Sequence, residues 1–219
     1  DLFYVDGPLT ASYTMRGHLT PLDDILPNAS EIYTSAALQQ GTFDGKLMSV
    51  PVESSTVVML VNNALFEDAG IEAPASAPEA RWTWEQVIAA GKKISDLGDD
   101  TWGFNFHYSD SPYMALVMPQ SKGATLIGED GVTASGYVDS PEFVEAMSTY
   151  AELYTDGIAP AGMYDYSLAL ELFLNGKVGM FAGVVSDAIA AITRDDLDYT
   201  VVPLPYFEGG TPVTPTGSW

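Results

Sequence analysis

Cysteine is absent from the 219 residues. That excludes disulfide bridges, thiolate catalysis and cysteine-bound metal within the chain, and leaves its compartment undetermined. Positive charge is scarce: 8 Lys and Arg stand against 30 Asp and Glu, a formal net charge of −22. Such a surface repels phosphate backbones and anionic lipids, so nucleic acid is a poor partner, while a neutral or cationic ligand is suited to it. Two accounts of the acidity remain open, a solvated or salt-adapted surface and an acidic binding pocket. Histidine occurs only at His18 and His107, far apart in sequence, so no histidine pair offers a metal site. Asp195-Asp196-Leu197-Asp198 lacks the oxygen-ligand spacing of a calcium loop. His107 with Asp110 is at most half of a catalytic pair, because no serine elbow accompanies it. No apolar run approaches 18 residues, so nothing reads as a membrane-spanning helix. Neither a metal nor a cofactor is expected.

What is present is organised around residues 42–70. Asp44-Gly45 between Phe43 and Leu47 is a tight hairpin turn, and Pro51 ends the extended run that follows. Glu53-Ser54-Ser55 is a polar pause, either a surface loop or a crossover facing a ligand cleft. Thr56 to Val61 is β-branched and apolar throughout, as a strand buried on both faces requires. Asn62 or Asn63 caps a short helix that Gly70 closes.

In chain order, residues 2–5 predict a buried strand broken at Asp6-Gly7-Pro8, which makes Tyr4 and Asp6 candidates for a crevice at the strand end, or else a core tyrosine and a turn former. Short helices are expected over 9–15 and 31–39. Thr83 with Gln86 forms a capping box for a helix whose Trp84, Val87, Ile88 and Ile94 share one face, so Trp84 is core. Residues 101–106 predict a strand, 114–122 a helix, and Asp130-Gly131 a turn. Ser140-Pro141 starts the clearest helix, closed at Gly157, with its tyrosines packing rather than stacking on ligand. Asp165 opens another helix, 177–183 forms a turn and strand, 187–192 a helix, 199–205 a strand, and 212–219 a last extended stretch. The chain opens on a strand without a start methionine and shows no signal peptide, which predicts a central fragment of a longer mature protein.

Several stretches together resemble extracellular solute-binding protein family 1, the sugar-binding proteins of ABC importers that include maltose-binding protein. These are Asp44-Gly45-Lys46, Pro51, Glu53-Ser54-Ser55, Val61-Asn62, Leu65-Phe66-Glu67-Asp68-Ala69-Gly70, the Leu19 to Asp24 segment and the Thr83-Trp84 helix start. Further matches are Asp139-Ser140-Pro141-Glu142, Tyr154 to Pro160, the Phe173 to Met180 stretch, Val202 to Pro205 and Pro212 to Trp219. The family's tyrosine before the asparagine is Val61 here. Its G-x-W after the Gly-Lys-Val strand is replaced by Gly183-Val184-Val185-Ser186-Asp187, so a stacking tryptophan is missing there.

The resemblance implies an α/β, periplasmic-binding-protein-like fold of two lobes joined by a hinge, with the first lobe incomplete. Residues 1–54 would belong to the first lobe, with a hinge near 53–56; 55–206 would form the second lobe and 207–219 the return crossover. It implies ligand contacts from Tyr4, Asp6, Glu53, Ser54, Ser55, Phe106, His107, Tyr113, Asp165, Tyr166, Gly183, Val185 and Trp219, with Tyr108 beside them. The implied function is non-catalytic capture of a neutral sugar in an inter-lobe cleft and delivery to a membrane permease. The protein would act as a monomer outside the cytoplasm, as a cell-surface lipoprotein or in the periplasm. Aromatic rings cover a pyranose face, while carboxylates and amides take bonds from its hydroxyls. The missing tryptophan points to a smaller ligand or to stacking by Tyr4, Tyr113 or Trp219. The alternatives are a polyamine binder, consistent with the acidity, and a glycosidase using Asp6 and Glu53 as its carboxylate pair.

Overall fold

The computed structural model describes residues 2–109, 111–128, 133–162 and 165–218. Helices α1 (Thr10–Met15), α2 (Ala29–Ile32) and α3 (Ser35–Gly41) precede the strands β1 (Thr42–Phe43), β2 (Lys46–Leu47) and β3 (Ser54–Asn62). Then come α4 (Asn63–Asp68), α5 (Trp84–Ser95), β4 (Trp102–Phe106), α6 (Pro112–Ala115), α7 (Val117–Ser121) and α8 (Pro141–Thr155). The chain continues through α9 (Tyr166–Leu174), β5 (Val178–Val184), α10 (Val185–Ile192), β6 (Tyr199–Val202) and β7 (Thr216–Ser218). It divides into two compact units, Asp1–Thr56 with Thr216–Trp219, and Val57–Pro215.

In the first unit β1 and β2 pair antiparallel through the expected turn, with φ of 50° at Asp44 and 70° at Gly45. The first three residues of β3 pair with β7, Ser54 opposite Ser218 and Thr56 opposite Thr216. Gly41 is required where α3 meets the segment after the hairpin: a Cβ there would lie 2.2 Å from the Ser49 carbonyl oxygen. The strand expected at 2–5 does not form. Leu2, Phe3 and Tyr4 are exposed, because no neighbouring strand among the described residues pairs with them. The single helix expected over 31–39 is two, because Tyr33 is extended and the Thr34 hydroxyl starts a new helix by accepting the Ala37 N–H.

The second unit is built on a sheet in the order β4-β5-β3-β6. β4 and β5 are parallel, and β3 runs antiparallel to both β5 and β6. With a neighbour on each side, β3 alternates its apolar residues across two faces. Met59 and Val61 join a core with Trp84, Val87, Ile94, Phe104, Ala146 and Leu153, drawn from α5, β4 and α8. Leu60 joins Ala169, Phe173 and Phe181 on the opposite face, under α9. The Thr83–Gln86 capping box forms both of its bonds. Asn62, rather than Asn63, caps α4, its side-chain oxygen accepting the Leu65 N–H. The helix expected over 114–122 is broken at Leu116, because Pro119 has no N–H to bond the Ala115 carbonyl.

α5 approaches β4 through two glycines. A Cβ on Gly103 would lie 2.2 Å from both Cα and O of Gly91, so position 103 has no room for a side chain, while a Cβ on Gly91 would meet the Ile158 side chain at 2.7 Å. Gly103→Ala is therefore expected to destabilise the fold by about 1–3 kcal/mol through overpacking, read as a lower denaturant midpoint at unchanged slope. The charge imbalance gives a second expectation. At net −22 the folded chain repels itself, and the ion pairs Lys92–Asp156, Lys122–Glu145 and Arg194–Asp196 relieve little of it. Salt should raise the melting temperature as it screens that repulsion, most steeply below about 0.15 M, where the Debye length exceeds about 8 Å. A melting temperature independent of salt would refute this.

Candidate functional site

In the second unit β4 and β5 are parallel; β4 ends at Phe106, opposite Ala182, and β5 runs on to Val184. Val57 of the antiparallel β3 lies opposite Val184. The chain beyond β4 therefore meets the corner linking β5 to α10, the kind of strand-end edge at which α/β sheets bind ligands. The His107 N–H donates to the Ala182 carbonyl at 2.8 Å, which carries the β4–β5 ladder one residue beyond the strand.

Two ionisable side chains are buried here. His107 is 4% exposed and Asp187 3%. Asp187 Oδ2 accepts the Val184 N–H at 2.9 Å and stands 2.7 Å from His107 Nδ1, an ion-pair distance at which the ring N–H is not aligned for a regular hydrogen bond. Gly183 makes room for it, since a Cβ there would lie 2.6 Å from that same carboxylate oxygen. Aromatic rings surround the pair. Tyr108 meets His107 edge to face at 4.2 Å, and Tyr166, the first residue of α9, lies 5.6 Å from it at a 31° tilt. Tyr108 and Tyr166 are 5.8 Å apart, and Phe181 packs beside the imidazole at 6.3 Å. Burial, then the nearby Tyr166 and Asp187, push the Tyr108 hydroxyl above the usual tyrosine range. Tyr166 is 51% exposed, so this buried pair carries a half-open aromatic face.

The segment after β4 is also held from below. The Tyr154 hydroxyl donates to that of Tyr150 at 3.2 Å, and the Tyr150 hydroxyl donates to the Ser109 carbonyl. Phe106, expected at the ligand, is 1% exposed and packs against Trp84, Phe104 and Tyr150, so its ring belongs to the core. Tyr113 is half-buried at the start of α6, its N–H donating to Ser111 Oγ. Asp165 is exposed and caps α9 by accepting the Leu168 N–H. Val185 is 38% exposed at the start of α10.

The remaining expected residues lie in the first unit. The Tyr4 hydroxyl donates to Glu53 Oε1 at 3.1 Å, and both side chains are exposed. Asp6 is half-buried before a single 3-10 turn, Gly7–Leu9, and makes no side-chain cap bond. Ser54 and Ser55 lie in the β3–β7 pair. A small pocket of about 60 Å³ in this unit is lined by Phe3, Tyr4, Gln40, Ser49 and Pro51 among others, with room for a few waters. Trp219, Asp110 and the Asp130-Gly131 turn lie outside the described residues. Among the described residues no cluster of His, Asp and Glu could hold a metal ion, and no helix is long and apolar enough to cross a membrane. The reading of the sequence passed over Asp187. Its signal is an acid at the third position of a helix that directly follows a strand and a glycine.

The fold is that of solved ABC-transporter solute-binding proteins. A Thermotoga lettingae protein bound with α-D-tagatose superposes with a TM-score of 0.81 at 20% identity, covering 98% of this chain and 56% of that one. UgpB of Mycobacterium tuberculosis in complex with glycerophosphocholine superposes at 0.79 with 19% identity, over 98% of this chain and 54% of its own. The sequence profile of the bacterial extracellular solute-binding proteins matches residues 1–219, and the chain belongs to that family. A curated relative, the sn-glycerol-3-phosphate-binding periplasmic protein UgpB of Agrobacterium fabrum, is 29% identical over 90% of this chain and 46% of its own length. The chain thus spans about half the length of the curated relatives it matches.

Burial, followed by the Tyr150 hydroxyl, raises the Tyr154 hydroxyl far above the ordinary tyrosine range. A raised phenol stabilises the fold fully below the unfolded pKa near 10, and that contribution falls as pH rises above it, because the unfolded state then loses its proton first. Alkaline melting curves should therefore steepen above about pH 10, and Tyr154→Phe should remove part of that slope. Equal slopes in the two proteins would show that Tyr154 contributes nothing to it.

Proposed function

We propose that this chain is part of the ligand-capturing component of an ABC importer, and that it binds a small neutral hydroxylated solute of the sugar class without catalysis. The observation that carries the reading is the half-exposed Tyr166 ring set against Tyr108 and His107 at the carboxyl ends of β4 and β5. A flat aromatic surface covers the apolar face of a sugar, and polar groups at its border take the hydroxyls. Tyr113, Asp165, Gly183 and Val185 are proposed as bordering contacts. For Tyr4, Asp6, Glu53, Ser54, Ser55 and Trp219, in the other unit, a ligand role is proposed on the family resemblance alone. The tagatose complex and a maltose-bound protein of T. maritima with a TM-score of 0.79 support a sugar. Membership of a bacterial extracellular solute-binding family supports action outside the cytoplasm and delivery of the ligand to a membrane permease; a monomer is part of the proposal. The net charge of −22 favours a second ligand class, polyamines, over glycerol phosphate.

A thermal-shift screen of the protein with neutral saccharides, polyols, glycerol 3-phosphate and polyamines tests this, because a ligand of the folded state raises the melting temperature. A rise with one saccharide class is expected. A rise with polyamines or glycerol 3-phosphate alone would overturn the sugar assignment. Removing the ring in Tyr166→Ala should weaken the responding saccharide by about 1–2 kcal/mol, roughly ten-fold, in a calorimetric titration.

A further inference from the structure

A carboxylate as buried as Asp187 requires partners. One is the Val184 N–H, which Asp187 accepts from the third position of α10 as an ordinary reach back to the helix start. The other has no part in capping. His107 Nδ1, 2.7 Å away, belongs to the residue that follows β4, so this contact ties two separate chain segments together. Two unprotonated acceptors at that distance would repel, so one of the two atoms carries a proton. The same imidazole is the shared neighbour of Tyr108, at 4.2 Å and 88°, and of Tyr166, at 5.6 Å and 31°. A side chain at position 183 would collide with both the Asp187 carboxylate and the Phe181 ring at 2.6 Å, so the corner is shaped around this arrangement.

We infer that Asp187 is a positioning residue: through His107 it sets the tilt of the Tyr108–Tyr166 face that receives the ligand. The inference rests on the ligand reading of that face given above. His107 serves as the rigid spacer, and Asp187 locks the ring by fixing which nitrogen bears the proton. Without the carboxylate the ring loses its anchor, and the two tyrosines lose the surface they lean on.

Asp187→Asn tests this, because it keeps the shape and an acceptor for the Val184 N–H while removing the charge. In histidine-¹⁵N-labelled protein, the His107 signal is assigned by its loss in His107→Gln. The wild type is expected to show a protonated Nδ1, and the Asn variant a shift toward the Nε2–H tautomer. In 3-fluorotyrosine protein the ¹⁹F lines of Tyr108 and Tyr166, assigned with Tyr108→Phe and Tyr166→Phe, should move in the Asn variant while that of Tyr206 stays in place. The saccharide found by the thermal screen should bind the Asn variant roughly ten-fold more weakly, the scale typical of losing a group that orients a contact residue. A bare Nδ1 in the wild type, or unmoved Tyr108 and Tyr166 lines in the Asn variant, overturns the positioning role. Moved lines in a protein that answers to no saccharide overturn the ligand reading, and the role in binding falls with it.

Discussion

A strand with neighbours on both sides has every backbone group committed and both faces covered. β3 meets that constraint in the second unit, where its residues pair with β5 on one side and β6 on the other. It can do so only because Val57 to Val61 offer apolar side chains in both directions. Met59 and Val61 close one core, and Leu60 closes the other. The placement of β4 and β5, and so of the loops at their carboxyl ends, follows from that central strand. So does the close glycine contact that seats α5 on the sheet, because Gly91 and Gly103 let backbone meet backbone where β4 lies over the helix.

The candidate site inherits its rigidity from this frame and its polarity from two buried groups. His107 and Asp187 sit where hydrophobic packing alone would favour apolar residues. Their burial is sustained by the contact each makes with the other and by the Val184 N–H. From above they present aromatic edges. From below, the Tyr150 hydroxyl, itself bonded by that of Tyr154, holds the Ser109 carbonyl. Polar groups specify orientation where apolar packing would only fill volume, and this is the physical distinction between a binding face and a core.

Much of the local structure could be read without coordinates. The hairpin at Asp44-Gly45, the capping box at Thr83 and Gln86, the Ser140-Pro141 helix start and the Asp165 cap are all encoded within four residues of one another, and each forms as expected. Expectations that failed depended on more distant partners or on one missing donor. Residues 2–5 have the composition of a strand but no pairing neighbour among the described residues, and the 114–122 helix is interrupted at Leu116 because Pro119 lacks an N–H.

The sequence by itself determined the family, the apolar central strand and the capped helix starts at Ser140 and Thr83, because those signals are short-range patterns of residue type and hydrogen-bonding capacity. Only the tertiary structure decided which of the candidate side chains are buried. It sent Phe106 into the core and left Tyr166 half-exposed, although both are aromatic residues at the end of an element. It also brought Asp187 to His107 across 80 residues of chain. Sheet order and register set those meetings, and neither is written in the residues on either side of an aspartate that otherwise reads as an ordinary helix start.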